Sequence, residues 1–140
     1  MQDILITIMY CGIGIVLMIL GTFLVDLVIP CHFPTEIKNR NVAVGYITAG
    51  IYIGIGVILK SAIISPDISG AATTLLDGVR GTIIYFFIGV GICILGYLAI
   101  LTMNKKYNLN KEIESGNPAA GLMVMGLFIG LSIVISGAIY

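Results

Sequence analysis

Thr35-Glu36-Ile37-Lys38-Asn39-Arg40-Asn41-Val42-Ala43-Val44-Gly45 and Lys111-Glu112-Ile113-Glu114-Ser115-Gly116-Asn117-Pro118-Ala119-Ala120-Gly121 carry one pattern, Glu-Ile…Asn-x-Ala-x-Gly, written twice. The correspondence continues downstream, where Ala43, Gly50, Gly54 and Ile63 align with Ala119, Gly126, Gly130 and Ile139. Upstream, with one residue less of offset, Tyr10, Gly14 and Ile19-Leu20-Gly21 align with Tyr85, Gly89 and Ile94-Leu95-Gly96. The chain therefore reads as two related halves, each an apolar segment, a polar elbow and a second apolar segment.

The apolar segments are long enough to be membrane spans. The 140 residues are 59% hydrophobic and 10% charged, where a soluble domain carries about 25% charged residues. Four stretches, at about 4–30, 41–64, 82–103 and 118–140, meet the requirement of about 20 helical residues for crossing a bilayer. The expected fold class is all-α integral membrane: four transmembrane helices built as two parallel two-helix repeats, with both termini outside. This makes a single membrane domain over 1–140, with repeat 1 at about 4–64, an external connector at 65–81 and repeat 2 at about 82–140. Little chain remains for a soluble catalytic domain. The net charge of zero gives no sign of a nucleic-acid partner. The N-terminus lacks the basic lead of a cleaved signal and reads as the first span.

Orientation follows from the basic residues. Lys38 and Arg40 lie in the first elbow and Lys105, Lys106 and Lys111 in the second, whereas the connector holds Arg80 alone, beside Asp67 and Asp77. Four spans put both elbows on one side, and the positive-inside rule makes that side cytoplasmic. The expected localisation is a multi-pass protein of the bacterial inner membrane with residues 31–40 and 104–117 in the cytoplasm. Because each half crosses twice, the halves share one orientation, as parallel repeats do.

Asn41 and Asn117 sit where the second and fourth spans begin, and an Asn there can accept a hydrogen bond from an unpaired helix-start N–H. Pro118 suits the first helical position, and Gly116 permits a sharp bend before it. The Glu36-Ile37 and Glu112-Ile113 pairs read as short interfacial turns whose isoleucines dip into lipid. A second reading has the two Asn side chains facing each other across a polar vestibule. Ala43, Gly50, Gly54 and Ser61 form a small-residue stripe on the second span; Ala119, Gly126, Gly130 and Gly137 form its match on the fourth. Such stripes let membrane helices approach closely, within the bundle or between subunits. A substrate groove lined by bare backbone is the other possibility.

Three ionisable residues lie in or near lipid. Asp26, about one turn from the end of the first span, is disfavoured by the helix dipole and calls for a partner, with Lys38, Arg40 and Lys105 as candidates, or for a role in ion or proton handling. Lys60 can snorkel to the outer surface. Asp77 and Arg80, one turn apart, suggest a local ion pair. Cys11, Cys31 and Cys93 do not form a spaced disulfide framework. Cys31-His32 is one neighbouring pair, too few ligands for a tetrahedral zinc site. Metalloprotease, hydrolase and phosphate-loop signatures are missing from the sequence, and no cofactor or metal is implied.

The duplicated elbows at Glu36–Gly45 and Glu112–Gly121, with Asp26 ahead of the first and Leu75-Leu76-Asp77 ahead of the third span, resemble the YjfL-type family of bacterial inner-membrane proteins, a domain of unknown function. The chain departs from the pattern at Arg40, where Gly is expected before the Asn, and at Pro118. The resemblance implies a four-helix integral protein without assigned catalysis, of a kind often encoded beside envelope-stress and membrane-remodelling proteins. The reading that results is non-enzymatic: a self-associating anchor or scaffold in the lipid bilayer, a homo-oligomer with a cytoplasmic peripheral membrane protein as a possible partner. The alternative is a small oligomeric channel or transporter with Asp26 and the two Asn residues along its path.

Overall fold

The structure is a computed structural model that describes residues 1–65 and 74–139. Its elements in chain order are α1 (Gln2–Asp26), α2 (Phe33–Lys38), α3 (Val42–Ile64), α4 (Leu75–Met103), α5 (Leu109–Glu114) and α6 (Pro118–Ile139). Helix is the only regular structure among the described residues. The four long helices, α1, α3, α4 and α6, are each long and apolar enough to cross a membrane. The shortest, α6, has 22 residues, which at 1.5 Å per residue spans about 33 Å and exceeds a hydrocarbon core of about 30 Å.

The boundaries differ from the sequence expectation at two places. Helix α1 ends at Asp26, and the chain then turns before α2. Helix α4 begins at Leu75, seven residues before the expected 82, because Asp77 belongs to its first turn. There Asp77 Oδ2 accepts hydrogen bonds from the Thr74 amide (3.2 Å) and hydroxyl (2.6 Å), reversing the direction of the chain into a helix start. Asp77 is thus engaged with Thr74, where a local ion pair with Arg80 was expected. Asp67 and most of the expected connector lie outside the described residues.

Helix α3 is the centre of the bundle. Half of its most apolar window is buried, against 11% for α1. In lipid, apolar side chains gain little by leaving one another's company for the bilayer, so close fit and hydrogen bonds decide which helices touch. Glycines set that fit. A Cβ on Gly121 of α6 would stand 2.5 Å from Ala43 Cα and O on α3, so here backbone meets backbone. A Cβ on Gly50 would come within 2.8 Å of Met125 Cα, and one on Gly54 within 2.5 Å of Ser132 Oγ. Gly89 of α4 likewise admits the Ile58 side chain. Around these contacts lie the fully buried Val44, Ile47, Phe86, Tyr97, Val124 and Phe128. Most of α1 remains outward, with Ile4, Leu5, Ile8, Ile15, Val16 and Ile19 exposed, as a lipid-facing helix requires.

The expected packing of the second stripe within the bundle does not occur. Gly126, Gly130 and Gly137 are exposed, and a Cβ on any of them would meet nothing within 4 Å. The reason is that α6 turns its Gly121–Ser132 side to α3, leaving the glycine stripe on its far side.

Candidate functional site

The two elbows are assembled by the same local chemistry. Helix α2 ends when Arg40 N donates to Ile37 O (3.0 Å) and Asn41 N to Glu36 O (2.9 Å). Helix α5 ends in the same way, Gly116 N donating to Ile113 O (3.0 Å) and Asn117 N to Glu112 O (3.0 Å). This pair of bonds closes a helix through one residue in the left-handed region. That residue is Arg40, at φ 62°, in the first elbow and Gly116, at φ 83°, in the second. The chain emerges pointing back into the membrane, and the next residue, an Asn, starts the long helix.

Each Asn then works at both ends. Asn41 Oδ1 accepts from Val44 N (3.1 Å), and Asn117 Oδ1 from Ala119 N (3.0 Å). Pro118, without an N–H, leaves Ala119 as the first donor. Asn41 Nδ2 donates to Glu36 Oε2 (2.8 Å), and Asn117 Nδ2 to Glu112 Oε2 (2.7 Å). The motif's Glu and Asn are therefore a bonded pair that ties each short helix to the long helix after it. The helix-start role expected of both Asn residues is what their side chains perform here.

The elbows differ in reach. Asn41 Nδ2 also donates to Ile113 O (2.9 Å) and Glu114 O (3.2 Å) across the bundle. The two elbows thereby meet at one end of the molecule. Asn41 is 9% exposed; Asn117 is half-buried, and among the described residues its Nδ2 donates to Glu112 alone. The two side chains do not confront each other across an open vestibule; Asn41 is plugged into the backbone of the second elbow. Ile113, expected to dip into lipid, is fully buried beneath this joint, whereas Ile37 is 49% exposed.

Asp26 is held by backbone. Its Oδ1 accepts from Phe33 N (2.7 Å), the first amide of α2, so the unfavourable end of α1 is offset by the start of the next helix. The cationic candidates Lys38, Arg40 and Lys105 are all exposed. Asp26 also lines an open groove of about 420 Å³ between α1, α2 and α3, with Thr22, Phe23, Ile37, Thr48 and Tyr52. A second open groove, of about 260 Å³, lies beside the other elbow and includes Glu112, Asn117, Ala119 and Met123. Lys60 is exposed near the far end of α3. Cys31 is half-buried, and its thiol is pushed up to about 11, first by burial and then by the negative charges of Glu36, Asp26 and Glu114. It stays protonated and a weak nucleophile at neutral pH. Among the described residues, no three His, Cys, Asp or Glu side chains gather as a metal site would need.

Two sets of polar contacts are not legible in the sequence. Tyr97 is almost wholly buried in α4, and its hydroxyl donates to Asn110 of α5. Ser61 and Ser136 bond to each other between α3 and α6, with Cys93 and Ser132 in contact deeper in the bundle (3.8 Å). A tyrosine or serine inside an apolar run signals that a polar partner is needed, but nothing local says which.

Four apolar helices of spanning length, with polar turns collected at one end, define a multi-pass membrane protein. The chain belongs to the family described as Domain of Unknown Function (DUF350), which matches residues 1–139. A membrane family of unknown function is what the elbows led one to expect, although the match does not carry the YjfL label. The chain is also similar to a "UPF0719 transmembrane protein" of Aquifex aeolicus (strain VF5), 23% identical over 133 residues. That alignment covers 94% of this chain and 48% of the relative, so the chain spans about half the length of the curated relative it matches. No solved structure matches.

Proposed function

We propose that this protein is a non-enzymatic, self-associating subunit of the bacterial inner membrane whose joined elbows form a cytoplasmic platform for a peripheral partner, a stress or membrane-remodelling protein being the kind its family resemblance suggests. The observation that carries the reading is the bond from Asn41 to the Ile113 and Glu114 carbonyls, which makes two elbows one unit. Lys38, Arg40, Lys105, Lys106 and Lys111 are all exposed at that end. Such a surface suits an acidic protein or anionic headgroups, and the positive-inside rule favours the cytoplasm for it. The interior supports a packed subunit over a pore within one chain. The cavity among Gly54, Val90, Cys93, Phe128 and Ser132 is about 20 Å³, and every buried side-chain polar atom described has a partner.

Purified protein in liposomes tests this. Expected are absence of ion flux and retention of a cytoplasmic protein that Lys105→Glu with Lys106→Glu releases. Selective flux would replace the anchor with a channel built from several copies. Orientation is tested in intact cells of a cysteine-free variant: an impermeant thiol reagent should label Thr74→Cys and spare Asn108→Cys, and the reverse would put the platform outside.

A further inference from the structure

Residues that correspond in the two halves have opposite burial, and the opposition forms a pattern. On α3, Ala43, Gly50, Gly54 and Ser61 are buried; their counterparts on α6, Ala119, Gly126, Gly130 and Gly137, are exposed. The surface that meets the α3 stripe belongs to the second half, with Gly121 against Ala43, Met125 against Gly50, and Phe128 and Ser132 against Gly54; Tyr97, Ile113 and Val124, each at most 1% exposed, lie in the same buried core. The corresponding positions of the first half are Thr22, Ile37, Thr48 and Tyr52, with Gly45. Thr22, Ile37, Thr48 and Tyr52 all line the open 420 Å³ groove, with Ile37 49% and Tyr52 41% exposed. A two-fold contact between the halves would have buried both stripes and both grooves. The actual contact joins unlike faces, and so leaves one stripe and one groove free, as a head-to-tail interface does.

We propose that the outward Ala119–Gly126–Gly130–Gly137 stripe of α6 seats in the open α1–α2–α3 groove of a second copy of this chain. This rests on the self-associating reading above and names the surfaces it uses. The occupant is argued from the molecule itself: the interface between α3 and α6 is a template already built from the same two kinds of face. Transferring its contacts sets the register. Ala43 against Gly121, Gly50 against Met125 and Gly54 against Ser132 become Ala119 against Gly45, Gly126 against Ala49 and Gly130 against Gly56 of the neighbour. Asn117, whose Nδ2 has one acceptor where that of Asn41 shares its two N–H groups among three, reaches the Ile37 and Lys38 carbonyls of that neighbour. Tyr52, Thr48 and Thr22 make the receiving groove more polar than its buried counterpart, so the contact between copies is the weaker of the two. Since the joined faces are unlike, each added copy presents a fresh stripe and groove, and the assembly is finite only where it closes into a ring around the membrane normal.

The test uses full-length chains in native membranes, with Cys11, Cys31 and Cys93 replaced by alanine. One tagged chain carries Ala49→Cys and a second, of different tag size, carries Gly126→Cys. Oxidation of co-expressed chains should give the mixed covalent dimer, while either chain alone stays monomeric on a denaturing gel. A dimer from Gly126→Cys alone would mean stripe on stripe and overturn the head-to-tail arrangement. Absence of the mixed dimer, with the parent protein multimeric by native mass spectrometry, would overturn these surfaces and leave self-association standing. A monomeric parent would overturn both. Gly130→Leu separates assembly from folding: it should abolish the multimer yet keep the parent's helical content and melting as a monomer in harsh detergent. A Gly130→Leu chain that remains multimeric would overturn the seat.

Discussion

Asn41 and Asn117 close their elbows with the same atoms at nearly the same distances, yet Asn41 alone carries bonds across the bundle. Gly45 and Gly121 hold the same place in the same motif, yet Gly45 is exposed with open space at its Cβ position while Gly121 lies against the Ala43 backbone. Ile37 and Ile113 differ in the same sense. The difference teaches that a motif specifies its own local bonds and leaves the question of what covers it to the packing of whole helices. Both elbows obtained the helix stop, the Glu–Asn pair and the helix start, because those involve residues a few positions apart. Burial was divided unequally because α3 offers one face to α6, and α6 answers with a different one.

The largest expected effect breaks the comparison at the glycines. In monomeric protein in detergent, Gly121→Ala puts a methyl group into the Ala43 backbone, which cannot move aside as a side-chain tip could. Forcing two packed helices apart costs about 1–3 kcal/mol, and a backbone clash belongs at the upper end. Gly45→Ala meets open space and should gain about 0.5–1 kcal/mol, since alanine is the better helix residue. Thermal unfolding followed by circular dichroism reads both. If the two variants melt alike, Gly45 and Gly121 are packed alike and the halves are more symmetric than their surroundings indicate.

The next effect is at the two asparagines. Asn117→Ala removes a helix-start bond and should cost about 1 kcal/mol. Asn41→Ala removes the same bond and also strips a donor from the Ile113 and Glu114 carbonyls, the first of them in a buried bond. The Gly116 amide still bonds Ile113 O, so the lost crossing bonds add about 0.5–1.5 kcal/mol, the net value of a hydrogen bond, and the total is about 2 kcal/mol. Equal losses would mean that the crossing bonds contribute nothing and that the elbows are joined by shape alone.

Much of this was legible in the sequence for a physical reason. Spans are written in hydropathy, and helix ends are written in Asn, Gly and Pro, all within a few residues of where they act. So the four long helices and both Asn starts could be read directly. The start of α4 is not legible, because Asp77, a charge, reads as connector while its carboxylate closes the first turn onto Thr74. Asp26 reads as calling for a cation, whereas a backbone amide seven residues on bonds its carboxylate. Which glycine stripe faces inward could not be read at all. Gly54 and Gly130 are equivalent in their own helices, and only the choice of neighbouring helix separates them; the same holds for Tyr97, whose partner lies on another element.

The smallest effect sharpens the comparison at the residue before each Asn. Both elbows need a left-handed residue there, and the first supplies Arg40 at φ 62° where the second supplies Gly116 at φ 83°. For a residue with a Cβ that conformation costs roughly 1–2 kcal/mol, part of which glycine returns through its freer unfolded chain. Arg40→Gly should therefore stabilise the protein by about 0.5–1 kcal/mol, and Gly116→Ala should destabilise it by a similar amount. Space does not decide the second case, because a Cβ at Gly116 would sit at an ordinary 3.6 Å from Asn41 Oδ1; the backbone angle does. Arg40 is exposed, so its side chain leaves no buried gap when removed. Arg40→Lys separates charge from conformation: it keeps the cation and the strain, and should melt like the parent. Should Arg40→Gly instead lower the melting temperature while Arg40→Lys does not, the cation at position 40 would be holding the first elbow, and the two elbows would close by different means.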